Sequence, residues 1–93
     1  MRRSNGNADQ VARLRHQLGL SQQAFAELLG LSVVSISRWE RGTTTLTDNS
    51  VALVGLLSRA LSRRSPEEIV HRLREVMPQG EVERVVALVH LGD

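Results

Sequence analysis

Apolar residues recur along this chain in short, one-sided groups separated by glycines and capping residues. Val11, Leu14 and Leu18 lie at the spacing that lines one face of a helix. Asp9 can cap that first helix, read as Gln10 to Leu18; Gly19 ends it and Leu20 turns inward. Ser21 is a second N-cap, its hydroxyl able to accept from an otherwise unpaired backbone N–H. The helix it opens, Gln22 to Leu29, puts Phe25, Leu28 and Leu29 on one side. Gly30 can adopt the left-handed conformation that stops a helix, and Leu31 can fill the corner. Ser32 then caps a third helix, Val33 to Arg41, with Ile36 and Trp39 on its inner face and Gly42 as its stop.

The rest of the chain is more apolar. After the loop Gly42 to Thr47, Thr47 or Asp48 caps a fourth helix bearing Val51, Leu53, Val54, Leu56, Leu57 and Leu61. This is more apolar surface than one buried stripe needs. Val54, Leu57 and Leu61 can close the core, which leaves Leu53 and Leu56 for a second surface. Ser65-Pro66-Glu67-Glu68 combines an N-cap, a proline at the first helical position and an early acid, a strong helix start. That fifth helix runs to about Met77 with Ile69, Leu73, Val76 and Met77 on one side, and Pro78 and Gly80 break it. A sixth, about Glu81 to Leu91, carries Val82, Val85, Val86 and Val89 at helical spacing, with Leu88 and Leu91 on another apolar face. Its valines would also suit a short strand.

Two helices joined across Gly30 by so short a turn must cross steeply, which is the arrangement that lets the second helix enter a DNA major groove. Charge sharpens this picture. The 93-residue chain has a net charge of only +2, but nine arginines against Asp9, Glu27, Glu40 and Asp48 leave residues 1–64 at +5. Residues 65–93 stand at −3. The basic part can face phosphate and the acidic part is repelled by it. All twelve basic residues are arginine, whose planar fork suits phosphate and guanine, although genomic base composition would produce the same bias. Residues 1–8, polar and without an apolar anchor, read as a disordered arm whose Arg2 and Arg3 could track a phosphate.

Other chemistries find little support. The chain has no cysteine, so neither disulfides nor thiolate metal sites are available. No apolar run approaches a membrane span, and Met1-Arg2-Arg3 is followed by polar residues rather than a signal-peptide core. A cytoplasmic setting fits. His16, His71 and His90 are scattered singly, without metal-ligand spacing, and there is neither a phosphate-cradling glycine loop nor a nucleophile motif. No cofactor and no catalysis are expected.

The segments LGLSQQAFAELLGLS and SISRWERG, with Arg15 and Leu18, closely resemble the Cro/cI (XRE) family of helix-turn-helix proteins over roughly residues 10 to 64. The specific features are the small Ala26 where the helices touch, Gly30 at the turn, Ile36 in the core, and Trp39-Glu40-Arg41-Gly42. The resemblance implies an all-α, lambda-repressor-like domain of about four to five helices at residues 9–64, with residues 65–93 as a helical extension. It also implies that Arg15 pairs with Glu40, tying the first helix to the end of the third. The implied DNA contacts are Ser21 and Gln22 at the start of the second helix; Ser32, Val33, Val34, Ser35, Ser37, Arg38 and Arg41 in the third; and Thr43 and Thr44 in the loop. Arg38 can donate two bonds to guanine, whereas the valines can only touch a thymine methyl. Of the two, Val34 is the more apt to pack against protein. Relatives with Gln or Arg there, and with basic residues and Pro in the loop, would read DNA more densely.

The expected function is a repressor-type transcriptional regulator that binds a palindromic operator in double-stranded DNA as a homodimer. The dimer would pair through Leu53, Leu56, Val85, Leu88, Val89 and Leu91, unless the last helices pack on their own domain. The alternative is an interaction module that binds a protein partner, such as a toxin or RNA polymerase, with weak operator reading. No membrane partner is expected.

Overall fold

A computed structural model describes residues 6–93. It consists of six helices: α1 (Gly6–Gln17), α2 (Gln22–Leu29), α3 (Val33–Arg41), α4 (Asp48–Leu61), α5 (Pro66–Val76) and α6 (Glu81–Leu91), with a 3₁₀ turn at Met77–Gln79 between the last two. None of the described helices is long and apolar enough to cross a membrane. Residues 1–5, including Arg2 and Arg3, lie outside the described residues. Gly6 to Ala8 belong to α1, so Asp9 sits in the first turn instead of capping it.

The other expected capping residues act as the sequence predicts. Ser21, Ser32, Thr47 and Ser65 each accept a backbone N–H three residues on. Gly30 and Gly42 end α2 and α3 in the left-handed region, at φ of 71° and 73°. A β-carbon there would meet the following carbonyl.

All six helices share one core. Val11, Leu14, Phe25, Leu28, Ile36 and Trp39 from the first three helices join Val54 and Leu57 of α4, then Ile69 and Leu73 of α5 and Leu88 of α6. α1 packs on α3 and α4, α2 on α3 and α5, and α6 on α4 and α5. The C-terminal pair is therefore built into the domain.

This overturns part of the expected dimer surface. Leu88 is fully buried and Leu91 nearly so, so neither is available to a second copy. The reason lies in a double register. Residues 84, 87, 88 and 91 and residues 82, 85, 86 and 89 both satisfy helical one-sided spacing, and α6 buries the first set. Arg84, Ala87, Leu88 and Leu91 face inward; Val82, Val85, Val86 and Val89 remain exposed. Met77, expected on the buried side of α5, is also exposed, because the helix gives way there to the 3₁₀ turn. Leu61 is half-buried against the core rather than closing it.

Two arginines of the basic part hold α6 in place. Arg59 Nε donates to the Gly92 carbonyl at 3.1 Å, and Arg64 Nε to the Leu91 carbonyl at 3.3 Å. Cations at the end of a helix complement its unsatisfied carbonyls and its dipole. Part of the positive charge counted toward nucleic acid is thus engaged inside the fold.

Candidate nucleic-acid interface

The turn at Gly30 sets α3 across α2, and a carboxylate network fixes the pose. Arg15 Nε and Nη2 donate to the two oxygens of Glu40 at 2.7 and 2.9 Å, while Arg15 Nη1 donates to the Leu20 carbonyl at 3.0 Å. The Gln22 amide adds a bond to Glu40 at 3.1 Å. A bidentate guanidinium matches a carboxylate in shape as well as charge. The pair is well shielded, with side-chain exposures of 15% for Arg15 and 9% for Glu40. Hydrogen bonding from Arg15 draws the Glu40 carboxyl below its ordinary pKa; burial opposes this and the Gln22 bond assists it. The same bond raises Arg15. The network links α1, the start of α2 and the end of α3, the three points needed to orient a short rod.

With Ile36 and Trp39 buried on the inner side, α3 turns Val34, Arg38 and Arg41 to solvent. These positions are spaced by four and three residues and so form one stripe. Neither arginine is paired with a carboxylate among the described residues. Ser37 is half-exposed beside the stripe, and Ser32 lies exposed at its N-terminal end. α3 packs on α1 and α2, whereas α5 and α6 pack on α2, α4 and each other. The acidic helices thus leave the outward side of α3 accessible.

Not every expected contact residue joins that surface with its donors free. Val33 packs half-buried against the core while Val34 is 53% exposed, the reverse of the order anticipated for the two valines. The first turn of a helix rotates each successive residue by about a quarter circle or more, which carries Val33 back toward the core. Thr43 donates its hydroxyl and its backbone N–H to the Arg38 carbonyl, at 3.1 and 3.0 Å. It closes α3 and has no donor left for a phosphate. Thr44 remains exposed. Ser32 donates its hydroxyl to Ser35 Oγ at 2.9 Å while accepting from the Ser35 N–H. Ser21 accepts from Ala24 N–H at 3.1 Å, which leaves its own hydroxyl hydrogen for another partner. Gln22 serves Glu40 with one amide hydrogen and stands at the start of α2, next to α3.

Of the expected pairing residues, Leu53 and Leu56 are half-buried on α4, and Val85 lines the same cleft as both of them. Val89 is exposed further along α6.

One residue at the corner was not anticipated. The Arg84 guanidinium of α6 lies over Gly30: its Cζ and both terminal nitrogens stand 2.8–2.9 Å from where a β-carbon on that glycine would be. Gly30 is required by its positive φ, and a β-carbon there would also push the Arg84 guanidinium aside. Arg84 precedes Ala87, Leu88 and Leu91 at the spacing of the buried stripe, the only trace of its position in the sequence.

A helix-turn-helix family model matches residues 11–69, more than half of the chain. The protein belongs to the Cro/cI (XRE) helix-turn-helix family. This is a family of DNA-binding regulators. No match was found among curated proteins or among solved structures.

Proposed function

We propose that the protein is a repressor-type regulator that binds a palindromic operator as a homodimer, with α3 in the major groove of each half-site. The observation that carries this reading is the solvent-facing stripe of Val34, Arg38 and Arg41 on a helix locked by the Arg15–Glu40–Gln22 network. Arg38 reads a base, Val34 touches a thymine methyl, and Arg41, Thr44 and the Ser21 hydroxyl meet flanking phosphates. Regulation then follows from occupancy of a promoter. One α3 spans few base pairs, so useful affinity calls for two, roughly 34–36 Å apart on one face of the duplex. Val82, Val85, Val86 and Val89, continued by Leu53 and Leu56, supply an apolar surface for pairing.

The test is selection of bound duplexes from a random library, with sedimentation of the protein alone and of the complex. A palindromic site bound by two chains, with affinity falling steeply as salt rises, is the expected result. A second reading, a module that binds another protein, draws on the engaged donors of Thr43 and the packed Val33, which thin out the surface facing DNA. Failure of any duplex to bind at micromolar protein and low salt selects it.

A further inference from the structure

α6, α4 and the α2–α3 turn enclose a cleft of about 490 Å³. That volume is in the range of small-molecule pockets. Leu29, Leu31, Leu53, Leu56 and Val85 make its walls apolar. Arg84 lies in the cleft with 9% of its surface exposed, and its Nε is buried without a hydrogen-bond partner. Among the described residues no carboxylate pairs with it.

The near-equal distances of Cζ and the two terminal nitrogens from the Gly30 β-position mean that the guanidinium lies flat over the turn. Its in-plane donors therefore point away from the turn, and the side chain lines the cleft. A buried cation with an unused donor is unfavourable until an anion reaches it. A carboxylate fits best, because its two oxygens match the two terminal nitrogens of the guanidinium side by side.

We propose that this cleft binds a small organic carboxylate with an apolar body, its anionic end held by Arg84 and its body against Leu31, Leu53 and Leu56. Glu81 stands at the rim one helical turn before Arg84 and competes with the ligand for the guanidinium. Since the cleft is floored by the turn that sets α3, the ligand acts as an effector of operator binding, a role that rests on the function proposed above. Its binding to the cleft does not.

The direct test is an NMR titration of the ¹⁵N-labelled protein without DNA, following the Gly30 and Leu31 amides and the Arg84 side-chain Nε–H. Hexanoate is the probe, with hexanol and inorganic phosphate as comparisons. Because Leu53, Leu56 and Val85 also belong to the surface proposed for pairing, the protein is held at a concentration where sedimentation shows one species. The expected result is saturable movement of all three resonances by hexanoate, with hexanol and phosphate each weaker by about tenfold or more, the worth of one charge-assisted bond. Arg84→Met should abolish hexanoate binding while keeping the amide spectrum folded, and Glu81→Gln should tighten it. The proposal is overturned if hexanoate leaves the three signals unmoved in both the parent and Glu81→Gln. It is equally overturned if hexanol or phosphate binds as well as hexanoate. Shifts that follow protein concentration without added acid would assign the cleft to a second copy instead. Hexanoate binding with no change in operator affinity would keep the site and discard its effector role.

Discussion

α3 and α6 are two amphipathic helices of similar length in one small domain, and their outward faces could hardly differ more. α3 turns Arg38 and Arg41 outward, with Val34 the one large apolar side chain among them. α6 turns out four valines. A face that is meant to stay hydrated and meet phosphate is built from charged side chains; an exposed row of valines gains by being covered. Their inward faces also differ. α3 is anchored by Ile36 and Trp39 plus a satisfied ion pair at Glu40, while α6 buries an arginine whose Nε has no partner. Polar groups are thus fully matched where α3 is anchored, and left open where the domain meets its last helix.

The largest effect is expected on α6 itself. Leu88→Ala should cost about 2–5 kcal/mol of stability, since it opens a cavity in the shared core, whereas Val86→Ser should stay within about 0.5 kcal/mol in the monomer. Urea denaturation of both variants decides it; equal losses would mean that the register of α6 is wrong. If the valines pair two chains, Val86→Ser should also weaken the dimer in sedimentation while leaving the monomer folded.

Next comes the anchor of α3. Glu40→Ala should destabilise the fold by about 2–4 kcal/mol, because Arg15 would be left shielded without its carboxylate. Its pH dependence has a definite sign. The folded-state pKa of Glu40 is lowered, chiefly by the Arg15 bond, so the folded protein binds fewer protons there than the unfolded chain. The stabilisation is complete above the ordinary carboxylate range and is lost as pH falls through the lowered folded value. Denaturation midpoints measured from neutral to strongly acidic pH should show an acid-side loss in the parent that is smaller in Glu40→Gln.

A smaller effect is expected on the outward side. Arg38→Ala should weaken operator binding by about 1–3 kcal/mol and relax preference at one base per half-site, with the thermal midpoint unchanged. Uniform weakening across all sequences would instead make Arg38 a phosphate contact. Smallest of all, Thr43→Val should leave DNA affinity nearly unchanged and lower stability slightly, as its hydroxyl closes α3 on the Arg38 carbonyl.

The helix boundaries could be read in the sequence because they rest on local chemistry: Ser21, Ser32 and Ser65 accept from N–H groups only three residues away. The Arg15–Glu40 pair was legible for another reason. It spans 25 residues, beyond any local rule, and was reached through the family resemblance. The order of the two valines was not legible, since it depends on a fraction of a helical turn; the Thr43 bonds to the Arg38 carbonyl follow from the left-handed cap at Gly42.

Local spacing, caps and breakers along the chain were enough to define an all-helical protein with a steep corner at Gly30 and a solvent-facing side on α3. They could not choose between two stripes of helical spacing on α6, nor reveal that Arg84 would lie against the Gly30 turn. A helix with apolar residues on two sides does not reveal which of them faces inward. Only packing against α4 and α5, with the larger Leu88 taken into the core and the arginine carried to the corner, settles which side faces in.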